Sequence, residues 1–104
     1  MLPPGITDNA ALHRFELHAD GATAFLLYDR HNDLLRLIHT EVPDSLQGKG
    51  IGSKLVTAVL QFAQENQLRI VPLCPFVAQY LQRHPEYAAI VEPQYRWMIE
   101  SSKS

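Results

Sequence analysis

The sequence carries one cysteine, Cys74, in 104 residues, so no disulfide framework is available within the chain; such usage agrees with a reducing compartment. It has no apolar run near the roughly 18 residues of a membrane span. An excess of either charge is missing too. Nine Lys and Arg stand against 11 Asp and Glu, a formal net charge of −2, so neither a nucleic-acid nor a membrane partner is expected. The opening Met-Leu-Pro-Pro-Gly-Ile-Thr-Asp-Asn has no basic region followed by an apolar stretch; no secretory signal is expected, and the cytoplasm is the expected location. His39, Glu41, His84 and Glu86 form no compact ligand spacing of a recognised kind, which predicts no metal site. No repeat, linker or low-complexity block divides the chain, whose length suits a single hydrophobic core.

What is present changes its period along the chain. Residues 1–12 hold two prolines, a glycine and scattered polar groups without periodicity and are expected to be a loosely held arm before a single domain over 13–100. From His13 to His18, Phe15 and Leu17 alternate with polar neighbours; turn chemistry at Ala19–Ala22 and a further run, Thr23–Tyr28, predict a hairpin. After the polar break Asp29–Asp33, Leu34–Val42 reads as a third strand of an antiparallel meander, stopped by Pro43. Ile51, Leu55, Ala58, Val59, Phe62 and Ala63 then recur at helical spacing, a helix of about four turns. Leu68–Leu73 is short, apolar and β-branched at its centre, which predicts a buried strand reached by a parallel crossover, with Pro72 at a point lacking a partner on one side. A second helix is predicted from Pro75 through Phe76, Val77, Tyr80 and Leu81, ending near Arg83-His84 before Pro85. An edge strand through Pro93 and Trp97 and a polar tail, Ser101–Ser104, complete the reading.

The segment between third strand and first helix is Gln47-Gly48-Lys49-Gly50-Ile51-Gly52-Ser53. Three glycines let backbone N–H groups approach a ligand without Cβ interference, and a helix N-terminus offers unpaired donors and the positive end of its dipole. Such a turn suits an anion. It lacks the Gly-Lys-Ser/Thr ending of the P-loop and the glycine spacing of the dinucleotide fingerprint. It resembles instead the pyrophosphate motif Q/R-x-x-G-x-G/A of the GNAT (acyl-CoA-dependent N-acetyltransferase) superfamily, through Gln47, Gly50 and Gly52 with the apolar helix behind them. With His39–Pro43, Leu46–Val56, Pro72–Val77 and Arg83–Tyr87, residues 13 to 91 are similar to the group of very short GNAT-like proteins.

The resemblance implies a minimal GNAT fold of the α/β (α+β) class: a mixed, mostly antiparallel sheet with one parallel, splayed strand pair and two main helices. It implies acetyl-CoA as cosubstrate, held by Val42, Gln47, Gly48, Lys49, Gly50, Ile51, Gly52 and Ser53, with pantetheine in the gap between Leu35–Val42 and Leu68–Leu73. Cys74 precedes Pro75, a residue favoured at the first position of a helix, which would set its thiol at a helix N-terminus; taken by itself it reads rather as a small buried hydrophobe, a preference that the resemblance reverses. Many family members carry asparagine near this point, so Cys74 is a departure that suggests a transient acyl carrier. His39 is the candidate general base, on the strand side expected to face Cys74, with Glu41 of the same parity as the alternative; the plainer roles are hydrogen bonding within the sheet for His39 and a solvated or turn-capping carboxylate for Glu41. Tyr80 reads as core or cleft wall rather than acid. The implied function is N-acetyl transfer to an unidentified amine, small molecule or protein. The chain leaves no room for the usual N-terminal helices, so the acceptor side is expected to be open or partner-completed, and a non-catalytic acyl-CoA-binding or protein-interaction module is the alternative.

Overall fold

The computed structural model describes residues 2–99. Strands β1 (Ile6–Asn9), β2 (Arg14–Ala19), β3 (Ala22–His31) and β4 (Leu34–Glu41) pair antiparallel in chain order, and β5 (Arg69–Pro72) lies parallel to β4. Helix α1 (Ile51–Glu65) makes the crossover, and α2 (Pro75–Arg83) follows β5. This is the expected mixed sheet, with one parallel pair and two main helices.

Local chemistry explains each connection. Asp20 and Gly21, both at positive φ (51° and 76°), form the two-residue loop between the paired Ala19 and Ala22, a geometry that matches strand twist and that glycine and aspartate tolerate best. Asn32 at φ 56° opens the equally short loop from β3 to β4. Pro75 occupies the first turn of α2, where no N–H is needed.

The inward residues of β2, β3 and β4 alternate as Phe15 and Leu17, then Ala24, Leu26 and Tyr28, then Leu35 and Leu37, all buried. They meet Leu55, Val56, Val59 and Ala63, the apolar stripe of α1. Val77 and Leu81 of α2 join the same core. On the other face of the sheet Arg14, Phe25, Leu27 and His39 are half-buried or exposed.

Two segments depart from the sequence expectation. Within the supposed loose arm, Ile6–Asn9 is a strand, with Ile6 opposite Leu17 and buried, and the Tyr28 hydroxyl donates to Asp8 Oδ1 at 2.6 Å. Four residues are too few to show a period; edge pairing and one anchored apolar side chain hold them. The predicted C-terminal edge strand is instead two 3-10 segments, Pro85–Ile90 and Pro93–Met98. Each begins at a proline, and only Val91 between them bridges Ile70. The polar tail Ser101–Ser104 lies outside the described residues.

Candidate functional site

The parallel pair β4–β5 runs from Leu34 opposite Arg69 to Leu37 opposite Pro72, and one further bond, Cys74 N–H to Leu37 O at 2.9 Å, ends it. Pro72 has no N–H to continue a ladder. Beyond Leu37, β4 follows β3 alone. A bulge bends it at the same place: Tyr28 pairs with Leu37 but Leu27 pairs with His39, leaving Ile38 as the extra residue. The two strands therefore part where β4 changes direction, and its edge from Ile38 to Glu41 faces a gap instead of β5.

The bulge also reverses which side chains face the core. Thr40, opposite the buried Leu26, continues the face of Leu35 and Leu37, while His39, opposite Leu27, points to the other side. Thr40 Oγ1 thus comes within 3.4 Å of Cys74 Sγ. His39 is not beside Cys74, contrary to the alternation expected from sequence; its Nε2 lies 2.8 Å from Glu41 Oε1, both side chains more than half exposed. Cys74 is 2% exposed and occupies the N-cap of α2, where its carbonyl accepts the first helical bond from Ala78 at 3.0 Å. Tyr80, half-buried, meets the Thr57 hydroxyl and stacks on His84 at 4.1 Å, in keeping with a wall position.

At the mouth of the gap stands the glycine turn. Gly48 and Gly50 hold φ of 77° and 69°, strained for any residue with a Cβ, and both face open space. Gly50 is the N-cap of α1, and Lys54 N–H is the first to bond back, to Gly50 O at 3.0 Å. The N–H groups of Ile51, Gly52 and Ser53 consequently have no helical acceptor. Gly52 packs against Phe76, whose ring would stand 2.8 Å from any Cβ added there, so α2 closes the other wall. The Gln47 side chain donates to Val42 O at 2.9 Å and braces the intervening loop. The resulting recess of about 180 Å³ is lined by Val42, Gln47, Gly48, Gly50, Ile51, Gly52 and Ser53, together with Leu46 and Phe76. Lys49 is the expected residue that does not line it; its Nζ reaches Asp20 Oδ2 of the β2–β3 turn, 3.2 Å away.

Thr40 and Phe76 were not singled out as site residues by sequence. A bulge leaves no mark in residue type, and Phe76 reads as an ordinary member of a helical stripe. Among the described residues no group of three or more His, Cys, Asp or Glu could hold a metal. None of the helices described is long and apolar enough to cross a membrane.

Comparison with known proteins agrees with this geometry. A family model described as GCN5-related N-acetyl-transferase matches residues 14–90. Protein NATD1 of Gallus gallus is 34% identical over 73 residues, 67% of this chain and 66% of its own length. Protein NATD1 of Homo sapiens shows 34% identity over 73 residues, 67% and 65% of the two chains. The chain thus spans about two thirds of the length of these relatives. The NMR solution structure of a GCN5-like protein from Staphylococcus aureus superposes with a TM-score of 0.65 at 31% identity, covering 84% of this chain and 86% of that one. Strand, glycine turn, helix and parting strand in this order, with a family match over most of the domain, lead to one conclusion: the chain belongs to the GCN5-related N-acetyltransferase family.

Proposed function

We propose that the chain binds acetyl-CoA at the glycine turn and passes its acetyl group to an amine. The observation that carries this reading is the turn itself, with two positive-φ glycines facing open space at the mouth of a helix whose first N–H groups lack acceptors. Ile51, Gly52 and Ser53 would donate backbone N–H groups to the pyrophosphate, and Gln47 and Gly48 would shape the approach. Lys49 would exchange Asp20 for a phosphate oxygen. The edge of β4 from Ile38 to Glu41 offers backbone donors and acceptors suited to the pantetheine amides. The coenzyme supplies an acetyl thioester.

His39, held by Glu41, would take the proton from the attacking amine on the open face of the sheet. Cys74, positioned by Thr40, would take the acetyl group first where transfer is stepwise: its thiolate forms the new C–S bond as the coenzyme thiolate leaves, and the amine then displaces it. No nucleic acid, membrane or metal enters this reading, and a cytoplasmic location belongs to it. A coenzyme binder without turnover is the second reading, favoured by the placement of His39 and Cys74 on opposite sides of β4.

The test is calorimetric titration with acetyl-CoA of wild type, Gly50→Asn and Gly50→Asp. Both substitutes tolerate positive φ and match in size, so only the charge differs. Weakened but saturable binding in Gly50→Asn and none in Gly50→Asp is expected. No binding by wild type would end the reading. Acetylated product from a panel of small amines and peptides then separates enzyme from binder.

A further inference from the structure

With the pyrophosphate assigned to the turn, two nearby cations are left without a role: Lys54, which lines a separate recess against Pro3–Ile6 and Leu17–Ala19, and Arg83. Arg83 ends α2 and, with Ser53, Phe76, Gln79 and Tyr80, lines a shallow groove between α1 and α2. Ser53 and Phe76 line both this groove and the recess at the glycine turn, so the two lie side by side.

The other arginines are engaged. Arg14, Arg36 and Arg69 pair with Glu16, Asp29 and Glu92, while Arg30 and Arg96 donate to backbone carbonyls. Arg83 has neither a carboxylate nor a carbonyl at bonding distance among the described residues, and no acidic residue lines its groove. Gln79 stands four residues before it, on the same side of α2. On the other flank of the turn Asp20 already holds Lys49 Nζ at 3.2 Å, so a phosphate there would have to displace a carboxylate in place.

Coenzyme A carries such a phosphate, a monoester on the ribose 3′ oxygen, separated from the pyrophosphate by the ribose. We propose that Arg83 holds this 3′-phosphate, with Gln79 and the Ser53 hydroxyl as neutral donors in the same groove, so that Arg83 sets the preference for coenzyme A over its dephospho form. The guanidinium fork suits phosphate oxygens, and its place on an open rim makes the contact modest in strength. The proposal rests on the coenzyme reading of the turn. An arginine in the last turn of a helix also favours the helix dipole, so the readout must be one that a stabilising role would leave alone.

Calorimetric titration with coenzyme A and with dephospho-coenzyme A, which lacks only this phosphate, supplies that readout. Wild type is expected to bind coenzyme A roughly five- to tenfold more tightly. Arg83→Gln, which leaves Gln79 and Ser53 in place, should lose most of the preference by weakening coenzyme A while leaving the dephospho Kd unchanged, and Arg83→Lys should keep more of it. A preference undiminished in Arg83→Gln, or an equal weakening of both ligands by that change, overturns the proposal. Equal Kd values in wild type overturn it while leaving the coenzyme reading intact; binding of neither ligand by wild type removes both.

Discussion

Thr40 Oγ1 and Cys74 Sγ lie 3.4 Å apart across the gap between β4 and the start of α2, although 34 positions separate them in the chain. The contact exists because the bulge at Ile38 turns Thr40 toward the core side. It places a hydroxyl beside the buried thiol at the point where β4 and β5 part. If the thiol carries the acetyl group, acid-quenched wild type mixed with acetyl-CoA will show one added acetyl by intact mass, and Cys74→Ala will show none. Thr40→Val, which keeps the shape, should cost less than about 1 kcal/mol in urea unfolding because thiol hydrogen bonds are weak, yet slow the loading.

Deleting Ile38 separates bend from composition. Every cross-strand pair of β3 and β4 can survive the deletion, since Ile38 is the unpaired residue. The shortened protein should fold, with a cooperative thermal transition by circular dichroism. With β4 straightened the gap narrows, and acetyl-CoA affinity should fall at least tenfold by calorimetry. Wild-type affinity in the deletion variant would show that the bend does not make the cleft.

Glu16 on the outer face of the sheet is 7% exposed and receives Arg14 Nε at 2.6 Å and Asn9 Nδ2 at 3.0 Å, with His18 Nε2 at 3.3 Å. The Arg14 hydrogen bond, helped by Asn9 and the two positive charges and opposed by burial, holds its carboxyl below the ordinary 4.5. A lowered carboxylate pKa contributes stability that is present above the unfolded value and lost as pH falls through the folded one. Glu16→Gln should therefore destabilise by about 1–2 kcal/mol at pH 7 and much less at pH 3, measured by urea unfolding at both.

Tyr28 answers to the opposite sign. Burial first, then the bond to Asp8, pushes its hydroxyl well above the ordinary value of 10.0. A raised pKa gives stability that is complete below the unfolded value and lost as pH rises through the folded one. Tyr28→Phe should cost about 1–2 kcal/mol at neutral pH, and the gap to wild type should narrow above pH 10. Hydrogen exchange should show the loss in Ile6–Asn9, which Asp8 ties to the core.

Much of this was legible in residue order. The helical spacing from Ile51 to Ala63 gave α1, the Asp20-Gly21 pair gave its hairpin, and Pro72, expected to lack a partner on one side, pairs with Leu37 of β4 while the bridge on the other side falls at Ile70. Seven of the eight residues expected around the glycine turn line the recess. Strict alternation placed His39 beside Cys74 because nothing in the identity of Ile38 announces an extra residue; the bulge is a property of the pairing between two strands. Lys49 is drawn off by Asp20, a contact 29 positions distant that no local pattern contains. Ile6–Asn9 owes its order to the strand beside it and the hydroxyl above it, and so looked loose when read alone.

Because the sheet is laid down in chain order, its strands present very unequal kinetic tasks. The antiparallel neighbours are joined by short connections and can zip in sequence, whereas β5 must wait until the whole stretch from Val42 to Leu68 has closed a loop. On this topology the β4–β5 contact that borders the recess is expected to be the last association to form. A ligand spanning that seam would act as a clasp on the slowest step of assembly, lengthening the lifetime of the native state without touching the meander.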